Sequence, residues 1–202
     1  MTVYNDAHRL ESNLPVFLEQ DYEPGYEVIV VDESSTDETP DMLKLFKAKY
    51  PHLYSTFLPK PDIQVTRQRL ALTLGVKAAK KDWIVFTDIN NVPANGQWLD
   101  ELAQYATAPT QLMLGYLRRK NGEMRLQLFD SVDEAAFIIG KTERKQAHGH
   151  RGKWMRYLRG KYDFIAVPTS LGHEALLHFE RKLSGRRLIG RRIHIAFHNL
   201  FN

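Results

Sequence analysis

Two acidic clusters stand immediately behind apolar, β-branched runs. Asp32 and Glu33 follow residues 27–31 (EVIVV), and Asp88 follows residues 83–87 (WIVFT). Ser34, Ser35 and Asp37 crowd behind the first cluster, Asn90 and Asn91 behind the second. Carboxylates so placed can accept hydrogen bonds from a ligand, or can simply close the turn that follows a strand. Arg67 and Arg69 stand near the expected start of a helix, where their charge suits an anion, although a solvated helix face is the plainer reading. From residue 141 onward the acids are Glu143, Asp163, Glu174 and Glu180. Glu174 follows a TSLG loop and His173, so it is either a proton acceptor or a first-turn glutamate that stabilises a helix N-terminus. His148 and His150 lie in a basic loop with no carboxylate close by, which is not the pattern of a metal set.

The elements that must position these groups alternate between strand and helix. Residues 27–31 read as a buried strand. Thr39 and Pro40 are an N-cap and a first helical residue, with Met42, Leu43 and Phe46 at helical spacing behind them. Residues 53–58 read as a strand, 66–80 as a helix, 83–87 as a strand, a helix follows with Trp98, Leu99, Leu102 and Tyr105, and 111–116 read as a strand. Such alternation implies an α/β fold, a mostly parallel sheet with helices on both faces. Ligands then bind beyond the carboxyl ends of the strands, so Asp32, Glu33 and Asp88 are expected to face one crevice. Thr2-Val3-Tyr4-Asn5 looks like the exit from a first strand, with Asp6 capping the helix that carries Leu10, Leu14 and Phe17. Only Met1 precedes it, so a truncated first strand or a misassigned start is expected. Further on, 123–129 reads as a strand, 130–139 as a short helix, 146–153 as a basic loop and 173–183 as a helix.

Composition bounds the partners. The chain has 202 residues, 43% hydrophobic and 26% charged, with no cysteine, which excludes disulfides and thiolate metal sites. No run is long enough for a membrane helix and no signal peptide is evident, so the expected location is the cytoplasm. The net charge of +4 is uneven. Residues 141–202 carry 14 Lys and Arg against 4 Asp and Glu, and the rest of the chain has the opposite balance. Residues 186–202 mix Arg with Ile, Leu and Phe, which suits either peripheral contact with an anionic membrane face or a core element with a basic edge. Nucleic acid is not expected, because no aromatic platform or recognisable module accompanies the basic charge.

Four features in order resemble the family 2 glycosyltransferases of GT-A fold. They are Thr2-Val3-Tyr4-Asn5, the run from Glu27 through Asp32 and Glu33 to Asp37, the 70–80 helix leading into WIVFTD, and the PANGQWL stretch at 93–99. The family pattern is T-x-Y-N, then E-V-I-V-V-D-D-x-S-x-D, then a helix and a strand ending in D-x-D with proline soon after. The resemblance covers residues 1 to about 116. It implies that 1–116 form a nucleotide-sugar-binding half with a truncated first strand, and that 117–202 form the acceptor side. It implies nucleotide contacts from Thr2, Tyr4, Asp32, Glu33, Arg67 and Asp88, with Glu33 at the position whose acid meets the base. It also implies a divalent cation, Mg²⁺ or Mn²⁺, on Asp88 and Asn90, to balance the leaving diphosphate. Asn90 departs from the second Asp of D-x-D, which weakens the expected affinity; an Asx-turn is the alternative. The acidic pair that usually supplies the family's base is absent, leaving Glu174 as the candidate base. The Q-x-x-R-W motif of processive synthases is absent too. The resulting expectation is an inverting, metal-assisted transfer from a UDP- or GDP-sugar to a glycan or lipid-linked acceptor in surface polysaccharide synthesis. The alternative is an impaired or truncated nucleotide-sugar-binding protein of the same fold.

Overall fold

The structure, a computed structural model, describes residues 1–58, 67–117, 124–131 and 162–172. In chain order the elements are β1 (Thr2–Val3), α1 (Ala7–Leu18), β2 (Val28–Asp32), α2 (Thr39–Lys49), β3 (Leu53–Phe57), α3 (Arg67–Ala78), β4 (Trp83–Thr87), α4 (Trp98–Ala103), β5 (Leu112–Leu117), β6 (Met124–Phe129) and β7 (Phe164–Pro168). Every strand and helix expected within the described residues of 1–129 is present, with ends displaced by a residue or two. Tyr105 falls outside α4 and is exposed. The expected 130–139 helix lies outside the described residues beyond Ser131, and the 146–153 loop and 173–183 helix lie wholly outside them.

The first sheet is parallel in the order β1-β2-β3, with Thr2 opposite Val31 and Val28 opposite Leu53. Parallel neighbours need a crossover between them, which α1 and α2 supply. Successive side chains of β2 point to opposite faces. Val28 and Val30 join a core with Leu10 and Leu14 of α1, Leu43 of α2 and Leu53 of β3. On the other face Gly75 of α3 lies over Ile29 and Val31. Helices therefore cover both faces of this sheet, the Rossmann-like α/β arrangement of the GT-A fold.

The second sheet has the order β4-β7-β5-β6, and all its ladders are antiparallel. β7 inserts between β4 and β5 although it is the last strand among the described residues. Its residues Phe164, Ile165, Ala166 and Val167 are all buried, as a central strand requires. Phe164 sits opposite Gly115 of β5, and its ring lies over the glycine. Between the two sheets runs an apolar slot of about 160 Å³, lined among others by Met1, Ile29, Gly75, Val85 and Trp98. Trp98 is buried edge-on against Phe17 and Phe164, and its Nε1 is a buried donor with no partner among the described residues.

Two glycines make opposite predictions. A β-carbon on Gly115 would lie 2.0 Å from Phe164 Cζ, and Phe164 is itself enclosed. Gly115→Ala should therefore destabilise the protein by about 1–3 kcal/mol in urea unfolding, the usual cost of overpacking. On Gly75 the nearest atoms would be at 3.7 and 4.0 Å, ordinary contact distances. Gly75→Ala, within α3, should raise stability by about 0.5–1 kcal/mol through helix propensity.

Candidate functional site

The loops that leave the carboxyl ends of β1 and β2 are knotted together by side chains. Asn5, held at φ 51°, donates its backbone N–H to Ser35 Oγ at 2.9 Å and accepts from the Thr36 N–H at 2.8 Å through Oδ1. Asp6 donates its N–H to the Thr39 hydroxyl at 2.9 Å, and Ala7 donates to Asp37 Oδ2 at 3.2 Å. Asp37 Oδ1 also accepts the N–H of Thr39 at 3.0 Å. Desolvation works to raise the pKa of Asp37, but hydrogen bonds from Thr39 and Ala7 outweigh it and hold the carboxyl below its ordinary value.

This knot corrects the expected caps. Asp6 does occupy the N-cap position of α1, yet its side chain makes no cap bond and instead accepts from Arg9 at 2.6 Å. Thr39 is the first residue of α2 rather than its cap, and its hydroxyl turns to Asp6. Asp37 serves the first N–H groups of both helices instead, which suits the partial positive charge at each N-terminus.

The nucleotide-contact candidates fall into distinct places. Thr2 is buried within β1 and lines the apolar slot. Tyr4, just past β1, is exposed. Asp32 is buried at the end of β2, and its Oδ1 takes both the N–H and the hydroxyl of Ser35, at 2.9 and 2.5 Å. Glu33 is half-buried beside the exit of β1, with its N–H on the Val3 carbonyl at 2.8 Å. Tyr4 and Glu33 thus stand at the adjacent carboxyl ends of β1 and β2, next to the buried Asp32. Arg67 opens α3 directly after an undescribed stretch, and only its place in the helix is described.

Asp88 and Asn90 lie in the turn after β4. Asp88 Oδ1 accepts the Asn90 backbone N–H at 3.1 Å and its side-chain amide at 2.6 Å, so the turn is an Asx-type closure. Both residues offer hard oxygen donors, and one carboxylate with substrate phosphates is a normal donor set for Mg²⁺ or Mn²⁺. The pair therefore fits such an ion once the Asn90 amide oxygen replaces its nitrogen as the inward group. Among the described residues, no three His, Asp or Glu side chains converge as a metal cluster. Glu174, the candidate base, lies outside the described residues, and residues 169–172, expected as a loop before it, are helical instead.

Four residues without a role assigned from sequence hold this turn. Asn13 of α1 donates its side-chain amide to the Ile89 carbonyl at 2.9 Å. Asn91 donates its own to the Asp163 carbonyl at 2.9 Å, and the Thr87 hydroxyl reaches the same oxygen at 3.3 Å. Asp163 is anchored in turn, its N–H on the Gly115 carbonyl at 2.9 Å and its Oδ2 accepting from the Leu117 N–H at 2.6 Å. Nothing local in the sequence signals partners more than seventy residues away. Through α1, the loops after β1, β2 and β4 are fastened into one assembly.

The family described as Glycosyl transferase family 2 matches residues 1–180. No curated protein matches the chain. Among solved structures, the mannosyltransferase PcManGT from Pyrobaculum calidifontis, in complex with GDP-Man and Mn²⁺, is similar over 60% of this chain and 35% of its own, at 26% identity and a TM-score of 0.48. S. aureus TarS in complex with UDP is similar over the same shares, 60% and 35%, at 22% identity and a TM-score of 0.49. This chain thus spans about a third of the length of these two solved structures. With the family pattern matched over most of the chain and an α/β core of the expected arrangement beneath it, this protein belongs to glycosyl transferase family 2.

Proposed function

We propose that the crevice at the ends of β1, β2 and β4 binds a nucleotide-diphosphate sugar, UDP- or GDP-linked, and that the chain takes part in transferring the sugar to a glycan or lipid-linked acceptor. Support for this reading comes from the mutual fastening of the loops after β1, β2 and β4, which carry Tyr4, Glu33 and Asp88, within a family 2 domain. Residues 1–116 carry the donor half and 117–202 the acceptor side. Surface polysaccharide synthesis is the setting, in the cytoplasm, with residues 186–202 as the peripheral membrane contact.

In this mechanism Glu33 accepts from an N–H on the base edge, and Tyr4 offers an exposed ring for the base to lie against. Arg67, at the head of α3, adds positive charge for the diphosphate. Asp88 and Asn90 would hold Mg²⁺ or Mn²⁺, which when bound neutralises charge on the departing diphosphate. Glu174 takes the proton from the acceptor hydroxyl as its oxygen attacks the anomeric carbon. The bond to the nucleoside diphosphate breaks on the opposite face, so the configuration inverts.

One observation favours a second reading, a binding protein of the same fold with impaired turnover. Asn90 lacks the second charge and donates to Asp88, leaving the turn closed on itself. Turnover of a UDP- or GDP-sugar separates the two.

Calorimetric titration of UDP and GDP, with and without Mn²⁺, tests the proposed donor site. One nucleotide should bind without metal and more tightly with Mn²⁺, and Asp88→Ala should weaken the Mn²⁺-supported binding at least about tenfold, or about 1.4 kcal/mol. Absence of binding by either nucleotide under both conditions would remove the reading. Asn90→Asp, which restores a second carboxylate, should tighten Mn²⁺ binding; an unchanged affinity would take Asn90 out of the metal site.

A further inference from the structure

The turn that carries Asp88 is held more firmly than an exposed strand-end loop requires. Its backbone is pinned at two successive places by amide side chains from different directions. Asn13 reaches the Ile89 carbonyl from α1, while Asn91 reaches the Asp163 carbonyl at the head of β7. Thr87, on the near side of Asp88, shares that same carbonyl, and the Asn91 N–H closes the turn on the Asp88 carbonyl at 2.9 Å. Ile89, between the two amides, is 1% exposed and packs into the core. Asp88 is thus bracketed in sequence by residues 87 and 91, both hung on one oxygen. That oxygen belongs to a residue whose side chain and N–H are tied to the end of β5.

We infer that Asn13 and Asn91 are positioning residues that set the Asp88 carboxylate for the cation, with Asp163 as the anchor that links this setting to the β5–β7 side of the fold. The inference rests on the proposed metal role of Asp88. Its physical basis is the cost of ordering. A carboxylate that is already aimed binds an ion without first freezing its own loop, and outer groups that fix a ligand are commonly worth about 10–100-fold in affinity. Both Asn side chains act as donors to carbonyl oxygens, a job that a leucine of similar size cannot do. Asp163 acts through an acceptor oxygen, which asparagine retains.

The test uses the full chain with Asn13→Leu, Asn91→Leu and Asp163→Asn. Mn²⁺ affinity of the nucleotide-saturated protein is read by water-proton relaxation, nucleotide affinity without metal by calorimetry, and amide hydrogen exchange at residues 90 and 91 by NMR. Each leucine variant should bind Mn²⁺ about tenfold more weakly, with metal-free nucleotide affinity unchanged and faster exchange confined to the turn. Asp163→Asn should match the wild type in all three. Leucine variants with wild-type Mn²⁺ affinity would overturn the assignment, as would parallel losses of metal and nucleotide binding, which mark a general structural role. Loss of Mn²⁺ binding in Asp163→Asn would make Asp163 a ligand and overturn its role as anchor. If the wild type takes up no Mn²⁺, the metal reading of Asp88 fails and the inferred positioning for a cation falls with it. The exchange measurement then shows separately whether the two amides hold the turn.

Discussion

Backbone N–H and carbonyl groups in irregular segments must be satisfied wherever water is scarce, and at the strand ends of this protein side chains do most of that work. A parallel sheet brings its carboxyl ends, and hence its loops, to one side. Those loops cannot pair with one another as strands do. Asn5, Asp32, Asp37, Asn13 and Asn91 each supply hydrogen bonds to loop main chain, and the architecture around the candidate site depends on them. Short amide and carboxylate side chains suit the task because they reach a nearby peptide group with little rotamer freedom to lose. The same loops carry Tyr4, which is exposed, and Glu33, which is half-buried.

This explains what was legible in the sequence and what was not. Runs such as EVIVV and WIVFT announce strands because burial of both faces demands continuous apolar, β-branched residues. The strand-end acids could be read from the same runs, since a strand's end fixes where the next residues lie. Asp6 stands at the expected cap position, but neither it nor Thr39 forms the expected side-chain cap, because the local rule looks only a few residues ahead. Asp6 and Thr39 are suitable cap residues, but Asp37 lies close enough in space to serve both helix starts. Asn13, Asn91 and Asp163 gave no local signal, because their bonds span 76 and 72 residues.

Strand order was hidden for a related reason. The alternation of strand and helix predicts parallel neighbours for β1, β2 and β3, where each crossover is a single helix. After β4 the pattern fades, and hydrophobic periodicity does not say which edge a late strand will join. β7 enters between β4 and β5, antiparallel to both. A trace of this exists in Gly115, a glycine inside a strand, which marks a close approach by a neighbour. Phe164 is that neighbour, but the glycine does not name it.

The apolar slot between β2 and β4 bears on how the molecule comes apart. Within the described residues, backbone ladders join β1 to β3 on one side and β4 to β7 on the other, while the seam between the sheets is carried by side chains such as Trp98, Phe17 and Val85. Packing without a ladder is a weaker coupling than a shared hydrogen-bonded sheet, even though one core cluster runs across both sheets. Under rising denaturant the seam is the natural plane of first opening. The loop after β4 sits on one side of the seam and its Asn13 tether on the other, so the turn that carries Asp88 would register that opening before either sheet comes apart.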